Sequence, residues 1–112
     1  ALVADLAFNG VHPWLGASSE TSRNGWRAAL KKIQALKPDS VIPGHKRDVT
    51  APDTPAVLAF MDRYLADFDS LRKVEPDGKA MAGAMLAKYP ELAVANLAWA
   101  SAMISYRPAP AN

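Results

Sequence analysis

The first 45 residues read as strand, helix, strand, and that order limits the fold more than any other feature of the chain. Residues 2 to 8 are an apolar run interrupted only by Asp5, the pattern of a buried strand whose single carboxylate needs a partner. Asn9-Gly10-Val11-His12-Pro13-Trp14-Leu15-Gly16 carries turn formers at both ends and predicts a loop. Ser18, Ser19, Thr21 and Ser22 then offer N-caps to a helix of about 13 to 15 residues. In it Trp26, Ala29, Leu30, Ile33 and Leu36 recur at three- and four-residue spacing, while Arg27, Lys31, Lys32 and Lys37 face away. Pro38 ends the helix, and Asp39 to His45 predicts a turn, a very short strand and a Gly-bearing loop that presents His45. Strands joined through a helix favour a parallel pair with a right-handed crossover, which places Asp5 and His45 near the same end of the sheet.

About three helices follow. Asp53-Thr54-Pro55 predicts a capped start, with Asp53 or Thr54 as N-cap and Pro55 at the first helical position. Val57, Leu58, Met61, Tyr64, Leu65, Phe68 and Leu71 then keep helical spacing, with Asp62, Arg63, Asp67, Asp69 and Arg72 on the other side. Pro76-Asp77-Gly78 breaks that pattern, and Met81, Ala82, Met85, Leu86 and Tyr89 outline a shorter helix up to Pro90. The last helix is expected from Glu91 to about Tyr106. Between Glu91 and Arg107 there is no charge, and Val94, Leu97, Trp99, Met103, Ile104 and Tyr106 surround the axis. A helix apolar on all sides is buried in a larger body or covered by a partner. Met81, Met85 and Met103 read as core filler, and residues 108–112 as a disordered tail.

At 112 residues the chain has room for one core. Half of it is hydrophobic, but 22 of those residues are Ala, so the buried bulk is thinner than the percentage suggests. The 13 Lys and Arg nearly balance the 11 Asp and Glu, with no basic arm, which argues against nucleic acid as a partner. Lys31, Lys32, Lys37, Lys46 and Arg47 read as solvated charges. The absence of cysteine excludes disulfides and thiolate metal sites, so a metal would need His and carboxylates. No charge-free run reaches the roughly 18 to 20 residues of a membrane span, and no signal-peptide pattern is present, so the chain reads as soluble.

The ionisable residues in apolar surroundings are Asp5, His12 and His45. Asp5 has a plain reading as a carboxylate capping loop amides, and His45 as a satisfied loop histidine. Taken together, Ala4-Asp5-Leu6-Ala7-Phe8-Asn9 and, after a helix, Val41-Ile42-Pro43-Gly44-His45 resemble the C-terminal part of the metallo-β-lactamase-fold hydrolases. The loop Asn9-Gly10-Val11-His12-Pro13-Trp14 further resembles a subset of uncharacterised metallo-hydrolases of that superfamily. The resemblance covers about residues 1 to 72, leaving 73–107 as a helical C-terminal extension.

The resemblance implies that Asp5 is the ligand that bridges two metal ions and a participant in catalysis, and that His45 is a ligand of the second metal. The ions are commonly Zn²⁺, and they lower the pKa of a bound water so that hydroxide attacks an ester, thioester, amide or phosphoester. His12 and Trp14 are candidates for lining the pocket of a small-molecule substrate, beside plainer readings as a loop residue and as packing. The family's His-x-His-x-Asp-His cluster is absent, and the chain has two His in all. The implied fold is therefore α/β by origin and helix-dominated, an incomplete C-terminal portion of an αββα domain without its N-terminal half. Two ligands fall short of the three protein ligands usual for catalytic zinc, so the chain alone is expected to bind Zn²⁺ weakly or not at all and to be inactive. A non-catalytic alternative is a helical module for self-association or docking. In either case exposed sheet edges and the uncharged helix predict a homo-oligomer, or association with the missing half.

Overall fold

The computed structural model describes residues 2–48, 50, 54–92 and 95–107, with side chains described from Phe8 onward. Strand β1 (Leu2–Asn9) leads through a loop into helix α1 (Glu20–Ala35), and strand β2 (Ile42–Lys46) returns to pair with β1. Helices α2 (Ala56–Val74), α3 (Gly78–Lys88) and α4 (Ala95–Ser105) follow. The two strands are parallel, with Leu2 opposite Ile42, Ala4 opposite Pro43, Phe8 opposite His45 and Asn9 opposite Lys46. The architecture is the expected strand–helix–strand unit with three further helices, dominated by helix. No helix among the described residues is long and apolar enough to cross a membrane.

Local chemistry explains the boundaries of α1. Ser19 is its N-cap, and Ser19 and Ser22 form a reciprocal capping box in which Ser22 N donates to Ser19 Oγ at 3.1 Å and Ser19 N to Ser22 Oγ at 2.8 Å. At the other end Lys37 turns into the left-handed region, φ 50°, just before Pro38. Gly10 at φ 73° turns the chain out of β1, and a Cβ there would stand 2.9 Å from Arg47 Cβ. Gly thus suits that position on both counts.

Three expectations about boundaries differ from the structure. His45 lies inside β2, opposite Phe8, because the strand runs through Gly44 to Lys46 instead of ending before a loop. Helix α2 starts one residue later than expected, with Pro55 as N-cap and no side-chain cap bond; Asp53 lies outside the described residues. Helix α4 runs Ala95–Ser105, shorter at both ends than the apolar run from Glu91 suggests, and Val94 and the tail 108–112 are also outside the description.

Helix α2 is the core's main contributor. Val57, Leu58, Met61, Tyr64, Leu65 and Phe68 are all buried along it, joined by Phe8, Leu30, Val41, Met81 and Met85 from its neighbours. Each such side chain contributes about 1.5 to 3 kcal/mol on leaving water. Helix α4 attaches differently, through a seam of small residues. Ala98, Ser101 and Ala102 are buried, and α3 comes so close that a Cβ on Gly78 would lie 2.9 Å from Met103 Cα. The small seam turns the large residues outward. Trp99 is 39 % exposed, and Met103, expected in the core, is 48 % exposed.

The charges between α1 and α2 are not all solvated. Arg23 is buried, and its Nε and Nη2 reach Asp69 Oδ1 at 2.8 and 2.7 Å. Its Nη1 donates to Ser18 O and Ser18 Oγ, and the guanidinium lies 4.9 Å from the centre of the Phe68 ring. Arg27, expected to face away, pairs instead with half-buried Asp62 at 2.8 Å. Breaking a buried pair strands the remaining charge, whereas a partly exposed pair contributes little. Asp69→Ala is therefore expected to destabilise by about 3 kcal/mol or more, and Asp62→Ala by about 1 kcal/mol or less. Urea unfolding midpoints of the two variants check the contrast.

Candidate functional site

The ends of β1 and β2 open onto a cleft of about 930 Å³, within the range of small-molecule sites. Five segments contribute: Phe8 from β1, Trp14 from the following loop, Trp26 from α1, His45 and Lys46 from β2, and Leu97 from α4. The His45 imidazole stacks on the Phe8 ring, with centroids 4.6 Å apart and planes 7° from parallel. This contact follows from the register, since residues directly opposite on neighbouring strands point to the same face.

Trp14 lies back over Gly16. A Cβ at Gly16 would stand 2.3 Å from Trp14 Cη2 and 3.0 Å from Ile104 Cδ1, so the missing side chain is what lets the indole rest there. Its remaining surface, 40 % of the residue, is open. The hydroxyls at the cleft's rim are already engaged. Ser18 Oγ donates to Leu15 O at 2.6 Å and accepts from Arg23, and Ser22 Oγ belongs to the capping box. His45 and Lys46 are the ionisable groups among its described lining residues.

The expected site residues are distributed as follows. Trp14 and His45 line the same cleft. Asp5 lies on β1 in the irregular stretch between Ala4 and Phe8, three residues before the partner of His45, about 10 Å along an extended strand; its side chain is outside the description. His12 does not line the cleft. It is fully buried, with Nδ1 in a 2.8 Å hydrogen bond with the Tyr64 hydroxyl and Nε2 without a partner among the described residues. No group of three or more His, Asp or Glu that could hold a metal occurs among the described residues.

Some of what builds the site is missed by spacing arguments. Leu15 N donates to buried Ser101 Oγ at 2.9 Å, which ties the Trp14 loop to α4. Tyr64 is the hub that holds His12, with Tyr89 at 4.9 Å and Phe60 at 5.9 Å between ring centres. Burial holds the Tyr64 phenol well above its ordinary pKa, with Tyr89 adding to the effect. Tyr89 is pushed up to about 12 by burial and by its hydrogen bond to Asp67. A signal for Arg23 does exist, since positions 23, 26, 30 and 33 share one helical stripe. No protein-family model, curated protein or solved structure matches this chain.

Burial lowers the pKa of His12, with Glu91 opposing the effect more weakly. The native protein therefore keeps His12 neutral where an unfolded chain, with the ordinary value of about 6.5, already binds a proton. Stability is full above that value and falls as the pH drops through it toward the lowered native pKa. Chemical unfolding between pH 7.5 and 5 is expected to show this slope. His12→Asn, which keeps a polar group facing Tyr64 and cannot take up a proton, is expected to flatten it.

Proposed function

We propose that this chain is the C-terminal portion of a metal-dependent hydrolase of the metallo-β-lactamase type, contributing Asp5 and His45 to a site that further ligands complete. The observation that carries this reading is the parallel pairing of the strand bearing Asp5 with the strand bearing His45, joined through one helix and followed by another. His45 opens into a cleft large enough for a small substrate, beside Trp14, and this supports the reading. The residues do not make a metal centre on their own. Two ligands are fewer than the three that catalytic zinc takes from protein, and among the described residues no larger group exists. The isolated chain is accordingly inactive in this reading, and its own part is to orient two ligands and to form one side of the substrate pocket.

The test uses the full-length product of the gene beside the 112-residue chain. Elemental analysis after dialysis is expected to find stoichiometric zinc in the former and substoichiometric zinc in the latter. Chelator-sensitive hydrolysis of ester, thioester or phosphodiester probes by the full-length protein is expected to fall about a hundredfold or more in Asp5→Asn and His45→Gln, since even residues behind the ligands are worth about 10 to 100-fold. A full-length protein without metal, or one whose activity ignores both substitutions, overturns the proposal.

One observation favours a second reading, self-association through α4. Trp99 and Met103 face outward from an uncharged helix, and the sheet's two strands each keep an outer edge without a strand partner among the described residues. In this reading sedimentation at micromolar protein gives a dimer mass that Trp99→Lys returns to the monomer. A monomer mass for the unaltered chain rejects it.

A further inference from the structure

We propose that His12 is an acid-operated latch on the Trp14 wall of the cleft: on taking up a proton it leaves its pocket, and residues 10–14 swing away from the cleft while the helices stay in place. This goes beyond the hydrolase reading and does not rest on it, because the latch needs neither metal nor substrate.

The geometry of the segment confines the movement. Gly10, at φ 73°, is the hinge at one end, a residue that changes its backbone conformation at low steric cost. At the other end Leu15 N donates to buried Ser101 Oγ at 2.9 Å, a bond between two groups that take up no proton in the acid range. Between these points His12 is held by its 2.8 Å bond to the Tyr64 hydroxyl and meets the Tyr64 ring edge-on, with centroids 5.8 Å apart. Trp14 follows two residues later, half open and on the cleft. Val11 and Pro13, buried on either side of His12, oppose release, so the segment stays closed at neutral pH.

The pocket suits a neutral imidazole and no other form. Nε2 is buried with no partner among the described residues. In the neutral ring it can be the bare acceptor nitrogen, whereas in the cation it is an N–H with nothing to accept it, next to a charge out of water. Nδ1 faces a phenol oxygen that burial keeps protonated, so no counter-charge sits there. The neighbouring elements supply none either. Of the charges on α2, Asp67 is engaged by the Tyr89 hydroxyl and by Lys88, and Arg63 carries the wrong sign. Helix α4 faces the loop with uncharged Ser101, and the sheet ends in His45, Lys46 and Arg47. Glu91, after α3, is the charge among the described residues whose field reaches His12; it is exposed, and its effect is smaller than that of burial. The imidazolium therefore gains water and counter-ions only by leaving. Outside the pocket it has the ordinary pKa of about 6.5, so release is absent at neutral pH and grows as the pH falls below that value.

The experiment follows the backbone and indole N–H resonances of the chain from pH 7.5 to 4.5, beside far-ultraviolet circular dichroism. The amides of Gly10, Val11, His12 and Trp14 and the Trp14 indole are expected to shift with one midpoint below about pH 6.5, while the helical dichroism and the Trp99 indole keep their pH 7.5 values. His45→Gln leaves His12 as the sole histidine, and its imidazole C–H resonance is expected to titrate with that same midpoint. Tyr64→Phe, which removes the bond that holds the neutral ring, is expected to raise the midpoint by about 0.4 to 1 pH units, the worth of one hydrogen bond. His12→Asn is expected to abolish the transition. Thermal unfolding at pH 7.5 establishes that these two variants are folded, and where one is not, the other decides. A Trp14 indole that does not move, a transition that folded His12→Asn retains, or a midpoint unchanged in folded Tyr64→Phe overturns the proposal. Loss of the helical dichroism at the same midpoint also overturns it, since His12 then affects only the acid stability of the whole fold.

Discussion

The buried pair Arg23–Asp69 fixes where the first half of the chain sits on the second. Taking both charges out of water costs several kcal/mol, and the geometry offsets that cost with several contacts at once. Two guanidinium nitrogens meet Asp69, a third meets Ser18, and the flat face lies on Phe68. Because Ser18 immediately precedes the N-cap of α1, this one side chain sets both the start of α1 and its seat against α2. The position of Trp26 and of the cleft's α1 side follows from that placement.

The loop between β1 and α1 is held from the other direction. His12 is anchored to Tyr64 of α2, and Leu15 to Ser101 of α4. Between these two anchors Trp14 alone points outward, against a glycine. A rigid loop with one open aromatic ring is a useful arrangement for recognition, since little conformational freedom is left to lose on binding. The same anchoring makes His12 a structural residue, its imidazole satisfied on one nitrogen and closed off from the cleft.

Much of the architecture is legible in the sequence. Periodicity places α1, α2 and α3, apolar runs and turn formers place α4 and both strands, and the crossover rule makes the strands parallel. What it misses has physical causes. Periodicity sorts residues by polarity, so it assigns Arg27, Asp62 and Asp69 to water, although opposite charges on facing helices can satisfy each other at a buried seam. It also weighs all apolar residues alike. In α4 the residues that pack are Ala98, Ser101 and Ala102, because only small side chains allow the approach seen at Gly78, and Trp99 and Met103 are left outside. Of the site, His45 is suggested by its flanking turn residues and Trp14 only by its place beside His12 in the loop, while Lys46, Trp26 and Leu97 join them only through the tertiary arrangement. Pro43 and Gly44 suggest a loop at His45, but the edge of a two-stranded sheet tolerates both residues.

Because Leu2 pairs with Ile42 and Phe8 with His45, the sheet joins positions about forty residues apart, and the helices that cover it come later still. On a ribosome the partner strand emerges on the order of a few seconds after β1. For that interval a strand-forming apolar segment is without β2, the circumstance in which such segments associate with one another. Asp5 is the one charge within it. A charge inside an apolar strand disfavours its association with its like, whatever that carboxylate does in the folded protein.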